Sequence, residues 1–355
     1  MHRLPPGRLL NCRPVYLDTY VTTQLERTGP WSPWLFLALF FAGSLLMIWR
    51  LEAMSANGLE GTVLGTLIMP YCSGIGNLIF AWVLGHRGGP GAEVVTNCLV
   101  NNVTNMTLVI GLPALIWGMV VVPDKAGTGG KKKRKGRDQS APTHQLNRLS
   151  LLLTLLAVFF FTGAAWALGR DGRFDFNDGL VLVGLFVFWQ CIHVFSVLKA
   201  NVQENRSLHW LLAVDLVLLV IGAYAVYLST NWLVAWVSQI HTGFISVKNL
   251  GWLSGWLMVV PNALLAFYYA WKRQAEVVYT SQVGDGHICI PFCLGIFALF
   301  KNITVPAGFT LGVELLVAAT GVHFICVALF GRLPRIIGLA LVAAYGGYLY
   351  KGLMH

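Results

Sequence analysis

The sequence predicts an all-α polytopic membrane protein, with about ten transmembrane helices in two inverted five-helix repeats. Three observations carry this. Of 355 residues, 56% are hydrophobic and 11% charged, against about 25% charged in an ordinary soluble domain. The apolar residues gather into runs of bilayer-spanning length, about 20 residues each. The second half of the chain also repeats landmarks of the first.

Residues 1–30 form an N-terminal arm that holds Arg3, Arg8, Arg13 and Arg27 with no apolar core between them. No ordinary cleaved signal peptide is expected there. The first apolar run begins at Trp31. Ten spans are predicted, at 31–49, 61–85, 93–122, 149–168, 179–198, 210–230, 251–271, 276–300, 308–330 and 334–351. The first five-helix repeat occupies 31–198 and the second 199–355. The 13 Trp fit interfacial anchoring in the lipid bilayer.

The net charge of +10 invites a nucleic-acid reading. However, its densest part is one run, Lys131 to Lys135 with Arg137, in loop 124–148 between spans. Such a run marks a cytoplasmic loop, and no nucleic-acid partner is expected. The larger share of the 25 Lys and Arg falls on that loop's side. Both termini are therefore expected outside. Without a targeting peptide, a bacterial inner membrane is the default location. The seven Cys show no disulfide spacing, and most lie in apolar spans, where packing is their ordinary role.

The halves echo each other. Span 2 carries Pro70 and span 7 carries Pro261. Span 3 opens Ala92-Glu93-Val94-Val95 and span 8 opens Ala275-Glu276-Val277-Val278, with Gly111 and Gly295 following. Because five spans is an odd number, the second copy must enter the membrane upside down, as in many secondary transporters.

Four stretches carry polar residues at membrane depth. In span 2, Pro70 precedes Ser73, Gly74, Gly76 and Asn77. A proline removes a backbone donor, and the carbonyl it frees is tolerated only against protein or a wet cavity. There it is an oxygen ligand for a cation; a packing kink is the plainer alternative. In span 3, Asn97, Asn101 and Asn105 recur every fourth residue on one helix face, joined by Asn102. Four buried amides exceed what interhelical hydrogen bonding needs and predict a polar cavity wall. Span 7 gives Pro261-Asn262. Span 8 gives Ser281-Gln282-Val283-Gly284-Asp285-Gly286-His287. An intramembrane carboxylate is a functional hypothesis by default, so Asp285 is the most informative acid in the chain. Gly284 and Gly286, like Pro70 and Pro261, are expected to break their helices. His287 is either a proton partner of Asp285 or a plain hydrogen-bond donor.

This layout resembles the cation/calcium antiporter superfamily, the sodium/calcium exchangers and their proton-coupled relatives. Their halves each carry a Pro-centred helix followed by a helix with a Gly-Asn-x-x-Gly-Ser-Asn-x-x-Asn type motif. Thr96-Asn97-Cys98-Leu99-Val100-Asn101-Asn102-Val103-Thr104-Asn105 is similar to it, continued by Leu108-Val109-Ile110-Gly111. Ser281-Gln282-Val283-Gly284-Asp285-Gly286 is a looser second copy. The resemblance implies a sodium/calcium exchanger-like fold and a secondary active antiporter moving Ca2+ or another cation against Na+ or H+ by alternating access. It implies no cofactor. The implied ion ligands are Asp285, which is also the metal ligand, with Asn97, Asn101, Asn102, Asn105, Asn262, Ser281, Gln282, Ser73 and Asn77. The chain departs from the family where an acid follows the proline, since Tyr71 and Asn262 stand there. Calcium favours six to eight oxygens with several carboxylates, so a monovalent ion or proton fits this site better.

Two alternatives stay open. Cys289, Cys293 and His287 suit a soft divalent metal. Loss of both acids after proline suits a non-transporting sensor or scaffold. An enzyme is not expected, because the sequence holds no H-E-x-x-H, G-x-S-x-G or P-loop motif.

Overall fold

A computed structural model describes residues 16–56, 69–121, 140–204 and 211–354. Within the N-terminal arm, α1 (Tyr16–Glu26) precedes α2 (Ser32–Ala56) and α3 (Met69–His86). Helix α4 (Gly91–Trp117) leads to β1 (Met119–Val120), then α5 (Ser140–Leu168), β2 (Arg173–Phe174) and α6 (Phe176–Glu204). The second half holds α7 (Leu211–Ser238), α8 (Leu250–Trp271), α9 (Ala275–Phe300), β3 (Ile303–Thr304), α10 (Phe309–Phe330), β4 (Arg332–Leu333) and α11 (Arg335–Met354).

Helices α2 to α11 fall on the ten predicted spans. Among the described residues, eight of these helices are long and apolar enough to cross a bilayer, while α3 and α6 contribute the shorter apolar segments Gly74–His86 and Phe176–Ile192. The basic run Lys131–Lys135 and Arg137 lies outside the described residues. The loop predicted over 124–148 is shorter than expected, because α5 already begins at Ser140.

The packing has an internal two-fold pattern. α4 packs on α8, and their counterparts α9 and α3 pack on each other. The C-terminal part of α4 packs on α11, and that of α9 packs on α6. α5 meets α10, and α2 meets α7. Two short antiparallel strand pairs join the halves: Met119 faces Leu333 and Val120 faces Arg332, while Arg173 faces Thr304 and Phe174 faces Ile303. β1 and β4 are separated by α5 to α10, and β2 and β3 by α6 to α9. Both are even numbers of helices, so a chain that crosses at every helix returns each strand to its partner's side. Only α5 separates β1 from β2, which puts the two strand pairs at opposite ends.

Glycines set the closest helix contacts in matching places. A Cβ at Gly338 of α11 would lie 2.6 Å from the Gly111 carbonyl oxygen of α4. A Cβ at Gly179 of α6 would lie 2.9 Å from the Gly295 carbonyl oxygen of α9. Helices α2 and α7 cross at Gly43 and Gly222 in the same manner, at 2.8 Å. With lipid outside, close backbone approach of this kind is how helices associate.

The centre belongs to α4 and α9, each 78% buried over its best apolar window, against 22–50% for the other long spans. Both have the same interruption. After 14 residues of α-helix each opens into one π turn, Asn105–Val109 in α4 and Cys289–Cys293 in α9. A proline accompanies each interruption, Pro113 four residues past the π turn of α4 and Pro291 inside that of α9, and each lacks the N–H that a regular α-helix would use there. The expected breaks at Pro261, Gly284 and Gly286 do not occur. α8 runs unbroken through Pro261, and α9 is regular α-helix through both glycines. Gly286 instead allows close packing, since a Cβ there would lie 3.1 Å from Val158 and 3.2 Å from the Asn102 side-chain oxygen. Pro70 stands in the first described turn of α3.

Candidate cation site

Helix starts, π turns and the Gly111/Gly295 pair set one register between the repeats, in which Asn101 of α4 corresponds to Asp285 of α9. This register differs by one residue from the Glu93/Glu276 echo in the sequence. Both side chains have no exposed surface.

A chain of amides leads across the centre. Asn262 of α8 donates from Nδ2 to Asp285 Oδ2 at 2.6 Å, and Asn105 donates to the same oxygen at 2.9 Å. Asn105 Nδ2 also donates to Asn101 Oδ1 at 2.8 Å, and Asn101 Nδ2 lies 3.7 Å from Cys289 Sγ. Asn97, one turn before Asn101, donates to Ser254 Oγ of α8 at 3.0 Å. Gln282, one turn before Asp285, donates to Ser281 Oγ at 3.0 Å and to the Asn262 carbonyl at 3.3 Å. The amide oxygens of Asn97, Asn105 and Gln282 are buried and accept no hydrogen bond among the described residues. Burying such an oxygen unsatisfied costs about 1–3 kcal/mol. Amide oxygens and a carboxylate are the donor type that a hard cation uses, and Asn105 stands directly beside Asp285. A void of about 20 Å³ reaches Asn262 between Phe40, Ser44 and Ile48 of α2, Ile75 and Gly76 of α3, and Val226 of α7. That size suits a single water-sized occupant.

Asp285, Asn101, Asn105 and Asn262 are thus joined directly, with Ser281 and Gln282 beside Asn262. Asn102 is not joined to them. It turns back on its own helix, donating to the Cys98 carbonyl at 2.7 Å. Asn77 is buried in α3 with neither amide atom hydrogen-bonded among the described residues. The side chains of Ser73 and Tyr71 lie outside the described residues. His287 contacts α5. Its Nε2 is 3.0 Å from the Thr154 carbonyl of α5, and its ring packs edge-on against Phe161 and Trp189. The same turn takes it away from Cys289 and Cys293. Among the described residues no group of three or more His, Cys, Asp or Glu is placed to hold a metal ion.

The other acids are engaged elsewhere. Glu93 Oε2 accepts from the Gly251 N–H at 2.6 Å, capping the first turn of α8. Asp215 pairs with Arg50 at 3.4 Å. Glu314 lies on an exposed face. The sequence reading missed two residues. Ser254 completes the bonding of Asn97, and His323 of α10 lies 2.7 Å from the Met106 carbonyl inside the π turn of α4. Both are polar residues inside apolar runs, which was the available signal.

The sodium/calcium exchanger protein family matches residues 30–195 and 214–352, one segment in each half. The chain belongs to the sodium/calcium exchanger family. Solved structures of the sodium-calcium exchanger NCX_Mj share its fold. One, soaked with zero Na+ and Ca2+, superposes at a TM-score of 0.61 with 19% identity, covering 94% of this chain and 99% of that one. Another, soaked with 2.5 mM Na+ and 10 mM Sr2+, gives 0.60 and 19% over 92% of this chain and 97% of that one. A third, soaked with 2.5 mM Na+ and 0.1 mM Ca2+, gives 0.59 and 21% over 88% and 94%. No curated protein matches the chain. Membership makes this an integral membrane protein of a transporter family, built on two repeats.

Proposed function

We propose that this chain is a secondary active cation antiporter that binds its ion at the centre of α3, α4, α8 and α9 and exposes it alternately to the two sides. The observation that carries this reading is a carboxylate with no exposed surface, Asp285, set among side-chain amides contributed by α4, α8 and α9. A buried ion of this kind is costly unless its charge is compensated. Family membership supports antiport as the class of reaction, and the oxygen donors support a hard cation. Asp285 would compensate the cation's charge or carry a proton. Asn97, Asn101, Asn105, Asn262, Ser281 and Gln282 would supply neutral oxygens. With Asn262 neutral beside it, the centre carries about one negative charge, which suits a monovalent cation or a proton exchanged against Na+ or H+. Ca2+ would be held weakly. Helices α2 and α7, joined at Gly43 and Gly222, would move as one pair against the core. Both termini are assigned to the outside, and loop 124–148 to the cytoplasm of a bacterial cell.

The test is gradient-driven flux in sealed vesicles across a panel of cations. Wild type is expected to move cations against an imposed Na+ or H+ gradient, and Asp285→Asn to lose at least about tenfold of that rate. The second reading, a non-transporting sensor or scaffold, draws on Tyr71 and Asn262. It predicts no flux of any cation in wild type.

A further inference from the structure

The outer ends of α3 and α7 are joined by a polar contact that the ion site does not need. Arg87 follows directly on α3, and Asn231 lies on α7. Arg87 donates from Nε at 3.0 Å and from Nη2 at 2.8 Å, both to Asn231 Oδ1. The next residue of α7, Trp232, donates from Nε1 to Glu26 Oε1 of α1 at 2.8 Å. Trp232 is also stacked on Phe36 of α2, with ring centroids 4.2 Å apart. The knot thus ties three bodies: α1, the α2/α7 pair, and the end of a core helix. It borders a cavity of about 250 Å³ lined by Thr22, Glu26, Arg87, Asn231, Trp236 and Gln239.

The repeats supply an internal control. α3 and α8 end alike. Gly88 and Arg273 take positive φ (71° and 62°), and the next N–H returns to the carbonyl five residues back, Gly89 to Leu84 and Gln274 to Tyr269. This makes Lys272 the counterpart of Arg87. Lys272 is exposed, with its Nζ over the rings of Tyr268 and Trp271 of its own helix, at 5.6 and 5.7 Å. Packing follows the same asymmetry, since α7 lies closely along α3 while α2 touches α8 only lightly. Among the described residues, one end of the moving pair is fastened and the equivalent end is not.

We propose that Arg87 and Asn231 form a latch that holds the α2/α7 pair against α3 and keeps the mouth on the α1 side closed. Opening that mouth requires α7 to leave α3, so both guanidinium hydrogen bonds must break. Arg87 and Asn231 are positioning residues that touch no ion, and they set how the carrier divides its time between its two states. This rests on the alternating-access reading above, but the test reads distance rather than transport, so the two can fail separately.

The experiment uses the full chain in lipid nanodiscs. Spin labels are attached through non-natural amino acids at exposed Gln239, just after α7, and exposed Asn302, after α9. The seven native cysteines stay untouched. In wild type the short-distance population should dominate. Arg87→Ala and Asn231→Ala should each raise the long-distance fraction about threefold, as expected for an exposed charged contact. The double variant should add nothing further, because both changes remove one interaction. Asn231→Asp, which gives Arg87 a carboxylate, should lower that fraction. A misfolded variant cannot yield opposite shifts from two changes at one position. Identical distributions in all variants, or Asp and Ala at 231 moving the same way, would overturn the latch.

Discussion

Asp285 is held by amides. Its Oδ2 takes N–H groups from Asn105 and Asn262, at 2.9 and 2.6 Å. The position of Asn262 sets the charge of the centre, and one substitution tests that. Asn262→Asp would put a second carboxylate at hydrogen-bond distance from the first, where like charges disfavour joint ionisation. Without divalent ions this variant should melt lower than wild type. Millimolar Ca2+ should restore its melting temperature, and the variant's apparent Ca2+ affinity should be about tenfold that of wild type, since calcium gains a carboxylate ligand. Thermal melts with and without Ca2+ check this; a variant indifferent to Ca2+ would mean that Asn262 is not at the ion. At this scale much was legible. An acid in an apolar run and asparagines spaced by four pointed to residues that do meet. The directions of Asn102 and His287 were not legible, because adjacent helical positions differ by about 100° and only the neighbours decide which one faces the centre.

At the scale of the element, the two π turns matter most. They begin four residues, about one turn, beyond Asn101 and Asp285 and loosen the backbone next to them. The sequence directed attention to Pro70, Pro261 and the glycines around Asp285. The prolines that act are Pro113 and Pro291, which sit in unremarkable apolar company. Pro113 lies a turn past the interruption it accompanies, so its letter does not mark the place, and Pro291 marks its own. The two-residue strands were equally hidden, since a pair of residues has no periodicity to read. The glycine contacts make a prediction about assembly. Gly338→Leu must push α11 off α4, where even a Cβ would stand 2.6 Å from the Gly111 carbonyl. Overpacking of this kind costs about 1–3 kcal/mol. The variant should melt several degrees lower in detergent, whereas Gly346→Leu, with nothing within 4 Å, should not.

At the scale of the whole molecule, the inverted plan follows from parity. An odd number of spans per half forces the second copy upside down, and the strand pairs at opposite ends agree with that. The membrane class, the two-repeat plan and eight of the span positions were therefore readable from the sequence. The N-terminal helix α1 was not, because its eleven residues are largely polar and it is fixed by its contact with Trp232. The symmetry is also incomplete in ways that bear on transport. Asn101 faces the repeat position that Asp285 fills, so one half brings the charge and the other brings neutral oxygens.

Equilibrium binding of radiolabelled sodium and calcium to the purified protein, beside Asp285→Asn, puts the question to the pocket itself. A single saturable monovalent site per chain should appear, displaced by protons, only weakly displaced by Ca2+, and missing in the variant. Sodium binding that persists in Asp285→Asn, or a wild-type site that prefers Ca2+ over Na+, would contradict a centre built on one buried carboxylate.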